Sequence, residues 1–318
     1  MTGLHRLMRG ETEIGFVRHA NRWFLGSGAA ILISVLAVLF LHLNFGIDFR
    51  GGEALSTANP AGATVPEIRT AVSNAGAGET TIQLINNGEA VRIQTDVLQP
   101  DQETALIAAV AEVTGTEPAQ VSADSVGPTF GSLVARQALI ALVVFLAVVA
   151  LYMTMRLEFK MAAVGLVALA HDLIITVGVY ALTGFEVTPA TVVAILTILG
   201  YSLYDTVVVF DKVDEYVGSM DKSTYSDIVE RAMNAVLARS LATSLTSLLP
   251  VGSILVVGSF VLGAPALREF ALALFVGMAA GTYSSVFLAG PMLARWKEGE
   301  EEWQEKRRRL EARQARKR

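Results

Sequence analysis

Residues 200–211 read G-Y-S-L-Y-D-T-V-V-V-F-D, and all but the last of them fall inside the run 189–210, where Asp205 is the only charge-bearing side chain. A run of that length matches the roughly 20 apolar residues a helix needs to cross a bilayer. An ionised aspartate near the bilayer centre costs about 2.5–3.5 kcal/mol on insertion scales. A sequence that tolerates this cost usually turns the group inward and uses it. The fold and the function therefore turn on one carboxylate.

The rest of the 318-residue chain has the same character, with 53% apolar residues, 17% charged residues and a mean hydropathy of +0.49. Six stretches are almost free of charge: 23–47, 137–155, 161–185, 187–210, 240–267 and 270–294. Six transmembrane helices are the expectation. Core helices of a soluble protein seldom exceed about 14 residues without polar relief. The first span reads as a retained anchor, because its run is too long for a leader and no clear A-x-A site follows. The absence of Cys excludes a disulfide framework and thiolate metal sites.

The spans divide the chain into a cytoplasmic tail (1–22), a first span (23–44), an extracytoplasmic domain (45–131), spans two to six (132–292) and a charged tail (293–318). Lys and Arg fix the orientation. Arg6, Arg9, Arg18, Arg22, Arg156, Lys160, Lys212, Lys222, Arg231 and the basic residues from Arg295 onward all fall on one side if six spans alternate. That side is the cytoplasm, with both termini inside. Residues 44–131 carry only Arg50, Arg69 and Arg92 against eleven acidic residues. Their strand-like and helix-like segments run β-α-β-β-α-β, with N-N-G at 86–88 as a hairpin signal. This order suggests a small ferredoxin-like domain.

Near 222–237, Tyr225, Ile228, Val229, Ala232, Met233, Val236 and Leu237 share one helical face, with Ser223 or Thr224 as cap. Such a helix can lie on the cytoplasmic membrane surface or pack against the ends of neighbouring spans. In the tail, acidic 298–305 precedes a basic run suited to anionic lipid.

Asp205 lies about 8 Å to the cytoplasmic side of the centre of span four, counted at 1.5 Å per residue. Tyr201 and Ser202 sit one turn back and Thr197 two turns back. In span five, Arg239 lies about 12 Å cytoplasmic of the centre, followed by Thr243, Thr246 and Pro250 and by a second polar row, Ser240, Ser244 and Ser247. An Asp205–Arg239 pair is geometrically possible. The bland alternatives are an Arg239 that snorkels to the interface and an Asp205 that only ties helices together. His171 and Asp172, near the middle of span three, suit a proton relay or a polar clamp. Gly277, Gly281 and Ser285 form a small-residue seam for close packing.

Three function classes follow: a proton-coupled membrane machine, an intramembrane aspartyl protease and a passive scaffold. The protease lacks its G-x-G-D element. Nothing points to a nucleotide, a nucleic acid or a metal, since there is no phosphate-binding loop and no His/Glu cluster with ligand spacing.

Several motifs carry a resemblance: G-I-D-F-R-G-G at 46–52, V-G-P at 126–128, R-L-E-F-K at 156–160, H-D at 171–172, G-Y-S-L-Y-D-T-V-V-V-F-D-K at 200–212, A-R-S-L-A-T-S-L-T-S at 238–247 and G-T-Y-S-S at 281–285. In this order the chain resembles the SecD/SecF protein-export family, related to the resistance-nodulation-division transporters. The resemblance implies no enzyme activity and no cofactor, with protons as the coupling ion. It implies pairing with SecD, and work with SecYEG and SecA on translocating unfolded polypeptides at the expense of the proton-motive force. It maps the proton pathway onto Asp205 and Arg239, with Ser202, Thr206 and Thr243 supporting. Tyr204 stands where many relatives have Asn, and Ser240 where they have Thr. In the signature turn of Gly46, Asp48, Gly51 and Gly52, the glycines let the chain start its first strand close to the membrane, and Asp48 caps the turn.

Overall fold

The computed structural model describes residues 12–315 except 79, 86–87, 221 and 261–264. Arg6, Arg9, the Asn86–Asn87 turn and the last basic residues, 316–318, lie outside the described residues. Among the described residues, six helices are long and apolar enough to cross a membrane.

The first, α1 (Ala20–Leu41), begins and ends before the expected 23–44. It stops because the chain turns at His42 and pairs Asn44–Phe45 (β1) in parallel with Glu186–Val187. A single turn, α2 (Ile47–Arg50), follows. Its N-cap is Gly46, and no side chain caps it, so Asp48 lies in the first turn without the expected capping role. Gly51 and Gly52 then take φ of +77° and +126°. A Cβ at Gly52 would stand 2.3 Å from the Thr95 carbonyl oxygen, and one at Gly51 2.7 Å from Pro128 Cα. Only glycine satisfies both the backbone angle and the approach.

The chain next forms β2 (Gly52–Ala58), α3 (Val65–Asn74), β3 (Thr80–Ile85), β4 (Ala90–Thr95), α4 (Pro100–Thr114) and β5 (Ser122–Val126). The sheet order is β3-β4-β2-β5, with every neighbouring pair antiparallel. Alternation along β2 and β4 puts Leu55, Val91 and Ile93 on the face that α3 and α4 cover with Ile68, Val72, Leu106 and Val110. A Thr64–Glu67 capping box starts α3, and left-handed Gly115 ends α4.

Five long helices complete the chain: α5 (Pro128–Arg156), α6 (Phe159–Thr183), α7 (Pro189–Ser219, after the short strand β6, Glu186–Val187), α8 (Tyr225–Phe260) and α9 (Pro265–Tyr283). A π-helical turn (Ser284–Ala289) joins α9 to α10 (Gly290–Glu298), and α11 (Glu301–Ala315) follows. The segment near 222–237 is the first third of the 36-residue α8, not a separate surface helix. Thr224 and Asp227 cap its start reciprocally. Its apolar face is buried against Phe16, Phe210, Val213, Leu293 and Trp303. The packing alternative therefore holds, because those side chains complete a core that the ends of the spans leave open.

Candidate functional site

The site forms where α6, α7, α8 and the α9 junction meet. Asp205 on α7 is 6% exposed. Ser240 Oγ on α8 donates a 2.7 Å hydrogen bond to its Oδ1. Its Oδ2 is buried and has no partner among the described residues. Successive residues of a helix point about 100° apart, so Ser240 and Arg239 cannot both face Asp205. Arg239 is exposed and makes no ion pair with Asp205 in this structure. It lines a cleft of about 340 Å³ together with Asp211, Lys212 and Glu215. Arg239 thus adjoins the residue that bonds Asp205 but faces this cleft.

Asp172 on α6 is fully buried. Its Oδ2 accepts from Ser202 Oγ at 2.5 Å and from Ser284 Oγ at 2.9 Å. Its Oδ1 is 3.0 Å from Nδ1 of His171, itself 4% exposed. Ser202, expected beside Asp205, therefore serves the other carboxylate. Thr206 exchanges a 2.8 Å hydroxyl bond with Ser285, and Ser285 Oγ donates to the Ser202 carbonyl at 3.4 Å. Thr243 reaches only backbone oxygens of its own helix, those of Arg239 and Ser240. Ser244 meets Thr282 on α9 at 2.7 Å. Gly46, Asp48, Gly51 and Gly52 belong to the junction of α1 with the sheet and are not part of this cluster.

The small-residue seam positions these groups. A Cβ at Gly277 would fall 2.4 Å from Ile198 Cδ1, and one at Gly281 2.8 Å from Ser202 Cβ and 3.4 Å from Asp172 Oδ2. Glycine at both lets α9 close on α7. The π-helical turn then rotates Ser284 and Ser285 onto α6 and α7, a deviation that recurs at functional sites. Sequence reasoning did not single out Ser240, Thr282 or Ser284 as contacts, although the polar row at 240, 244 and 247 and the G-T-Y-S-S motif held the signal.

The arrangement contains two buried carboxylates on adjacent helices. Ser202 and Ser284 reach Asp172 and Ser240 reaches Asp205, and Ser202 and Asp205 lie one turn apart on α7. No cluster of three or more His, Cys, Asp or Glu suited to a metal ion occurs among the described residues.

Residues 106–299 match a family model described as "Protein export membrane protein SecD/SecF, C-terminal". A protein translocase subunit SecF from Streptomyces coelicolor is 40% identical over 319 residues, covering 98% of this chain and 84% of that protein. A SecF subunit from Mycobacterium tuberculosis is 39% identical over 309 residues, covering 93% and 70%. One from Vibrio alginolyticus is 33% identical over 293 residues, covering 91% of both. Among solved structures, that of SecDF, a translocon-associated membrane protein from Thermus thermophilus, superposes with a TM-score of 0.82 at 30% identity. The match covers 91% of this chain and 39% of that longer chain. A SecDF structure in a super-membrane-facing form gives a TM-score of 0.64 at 30% identity, over 96% and 40% of the two chains.

Proposed function

Because the chain belongs to the SecD/SecF family of protein export membrane proteins, we propose that it acts as a SecF-type subunit whose Asp205 takes up and releases protons to drive late steps of export. The six membrane-length helices make it a multi-pass membrane protein. In this reading both termini are cytoplasmic in the bacterial inner membrane. The sheet unit, with the strand order of a ferredoxin-like domain, lies on the opposite side. SecD is the partner that completes the machine, SecYEG and SecA supply the channel and the initial push, and the unfolded polypeptide is the load. Membrane lipid surrounds the spans and meets the basic C-terminal run. Protons are the only coupling species and no cofactor takes part.

The observation that carries the reading is the buried carboxylate with one unspent oxygen, one turn along α7 from the polar cleft at Val208, Asp211 and Arg239. The cleft supplies a route for water and protons to the edge of the site. Arg239 sits beside Ser240 in sequence, so a rotation of α8 by about 100° would exchange a hydroxyl partner for a guanidinium. An adjacent cation favours the ionised carboxylate, and its withdrawal favours the acid. Alternation between the two arrangements moves a proton. Each unit charge crossing the membrane carries about 2.3 kcal/mol per 100 mV.

The test is export by membranes carrying Asp205→Asn, with and without a membrane potential. The reading expects the potential-driven part of export to vanish. Retention of that part would favour a scaffold, in which Asp205 does no more than tie α7 to α8 through Ser240.

A further inference from the structure

Among the described residues, the side-chain hydrogen bonds from the four-stranded sheet to the membrane helices and their connections all end on one loop, residues 184–188 between α6 and α7. Gln83 on β3 and Arg92 on β4 are cross-strand partners in the antiparallel register. Val91 and Ile93 pack under α3 and α4, so alternation turns Arg92, with Gln83 beside it, to the opposite face. There Gln83 Nε2 donates to the Gly184 carbonyl at 3.4 Å, and Arg92 Nε donates to Glu186 Oε1 at 2.9 Å.

The loop is tied to its other neighbours as well. Gly184 ends α6 in the left-handed conformation, and its carbonyl also accepts from Asn44 Nδ2 at 3.2 Å. Glu186 and Val187 pair with Asn44 and Phe45. The Arg268 guanidinium on α9 lies 4.4 Å from the centre of the Phe185 ring. Thr188 caps α7, and Thr191 Oγ1 donates to the Glu186 carbonyl at 3.4 Å. From Pro189, α7 runs without a further proline to Asp205, about 24 Å at 1.5 Å per residue. Ser202 Oγ fastens it to Asp172 of α6 at 2.5 Å. The helices α6 and α7 thus form a stiff hairpin, with both carboxylates along its length and the sheet unit at its closed end.

We propose that this loop is the joint through which the carboxylate site and the sheet unit move together, with Arg92 and Glu186 as its positioning pair. The pair is largely desolvated, with Glu186 1% and Arg92 20% exposed, so solvent and salt screen it far less than a surface pair. The chain that enters the sheet at Gly52 comes from α1, and the chain that leaves it at Val126 leads to α5. Neither helix carries Asp172 or Asp205. A displacement of the hairpin therefore reaches the sheet unit through the loop rather than along the chain. Coupling over such a distance is carried by stiff elements and hydrogen bonds in contact with one another, and the loop completes that series. The transfer of proton-driven motion rests on the reading of Asp205 given above, whereas the joint itself does not.

The chain has no Cys, so introduced thiols carry spin labels at chosen positions alone. Labels at Ser73→Cys on α3 and Val193→Cys on α7, both exposed, read the separation of sheet unit and hairpin in the full chain in nanodiscs, by double electron–electron resonance. One narrow separation is expected in the parent and in Arg92→Lys, and a broadened or displaced one in Arg92→Ala/Glu186→Gln. Arg92→Gln, which keeps a donor and sheds the charge, should broaden it too and serves if the double variant does not fold. In proteoliposomes with SecD, the double variant should keep Asp205-dependent proton flux and lose the gain in export that the membrane potential supplies. A separation as narrow as the parent's would overturn the joint. Unchanged export, or flux and export lost together at equal amounts of assembled complex, would overturn the transmission. Flux that survives Asp205→Asn would defeat the proton reading instead, and the label separation would still decide the joint.

Discussion

Asp205 and Ser240 are joined across the α7–α8 interface by a 2.7 Å hydrogen bond, while Arg239, the residue before Ser240, faces the cleft of Asp211 and Glu215. The structure thus places a hydroxyl where charge complementarity alone would have put a guanidinium. Loss of that hydroxyl should be costly in two ways. Ser240→Ala leaves a buried carboxylate with neither oxygen partnered, at a cost of about 1–3 kcal/mol. It should also change potential-dependent export far more than Thr243→Ala, because Thr243 bonds only to the backbone of its own helix. Thermal unfolding in detergent, together with the export assay, checks both.

The glycine seam makes a sharper stability prediction. Gly281→Ala would put a Cβ 2.8 Å from Ser202 Cβ, and α9 would have to move away from α7. Overpacking of this kind costs about 1–3 kcal/mol, and here it also pulls Ser284 from Asp172. Gly200→Ala on α7 is the control. Nothing lies within 4 Å of its Cβ position, so it should be neutral or stabilising by up to about 1 kcal/mol. Melting temperatures of the two variants should move in opposite directions, or only the first should move.

The sheet unit is tied to the membrane helices by an ion pair, Arg92 Nε to Glu186 Oε1 at 2.9 Å, with Glu186 1% exposed. Breaking a buried pair from one side costs about 3–5 kcal/mol, because the remaining charge stays buried. Arg92 is 20% exposed, so Arg92→Ala should fall at or below the low end. The double variant Arg92→Ala/Glu186→Gln should recover part of the loss. Hydrogen exchange at the β1–β6 pair reads the loosening, and equal damage in the single and double variants would contradict the assignment.

A pH dependence follows from Glu53 on β2. It is 3% exposed; Oε1 accepts from the Leu98 amide at 3.2 Å, and Oε2 has no partner among the described residues. Burial, the largest influence, pushes its carboxyl above the usual 4.5, against the pull of the Leu98 amide. The folded state therefore binds this proton more tightly than the unfolded chain. Its stabilising contribution is full below pH 4.5 and is lost as the pH rises through the raised folded value. Glu53→Gln should make the sheet unit more stable than the parent at neutral pH and flatten this part of the profile. Denaturant unfolding of the full chain, followed by exchange at β2 and β4 between pH 4 and 8, measures it.

The six apolar runs, the buried aspartate and the double-glycine turn could all be read from the sequence, because each rests on a short-range rule: span length, the cost of a charge in hydrocarbon, and a backbone angle open only to glycine. The facing of Arg239 could not be read from depth alone, since depth along a helix says nothing of azimuth. The missing angle was nevertheless present in the stripe Val229, Met233, Val236, Ser240 and Ser244, which continues the buried face of α8 and leaves Arg239 outside it. Reading 222–237 as an element of its own cuts that stripe in two. The π-helical turn left no local mark, because Ser284 and Ser285 suit an ordinary helix seam equally well. Only their tertiary bonds to Asp172 and Thr206 distinguish the two.

Proton flux into proteoliposomes holding this chain with SecD, followed by an internal pH dye during active export, addresses the central claim most directly. Flux should accompany export in the parent and fall to background in Asp205→Asn while the complex stays assembled. Undiminished export-linked flux in Asp205→Asn would contradict it.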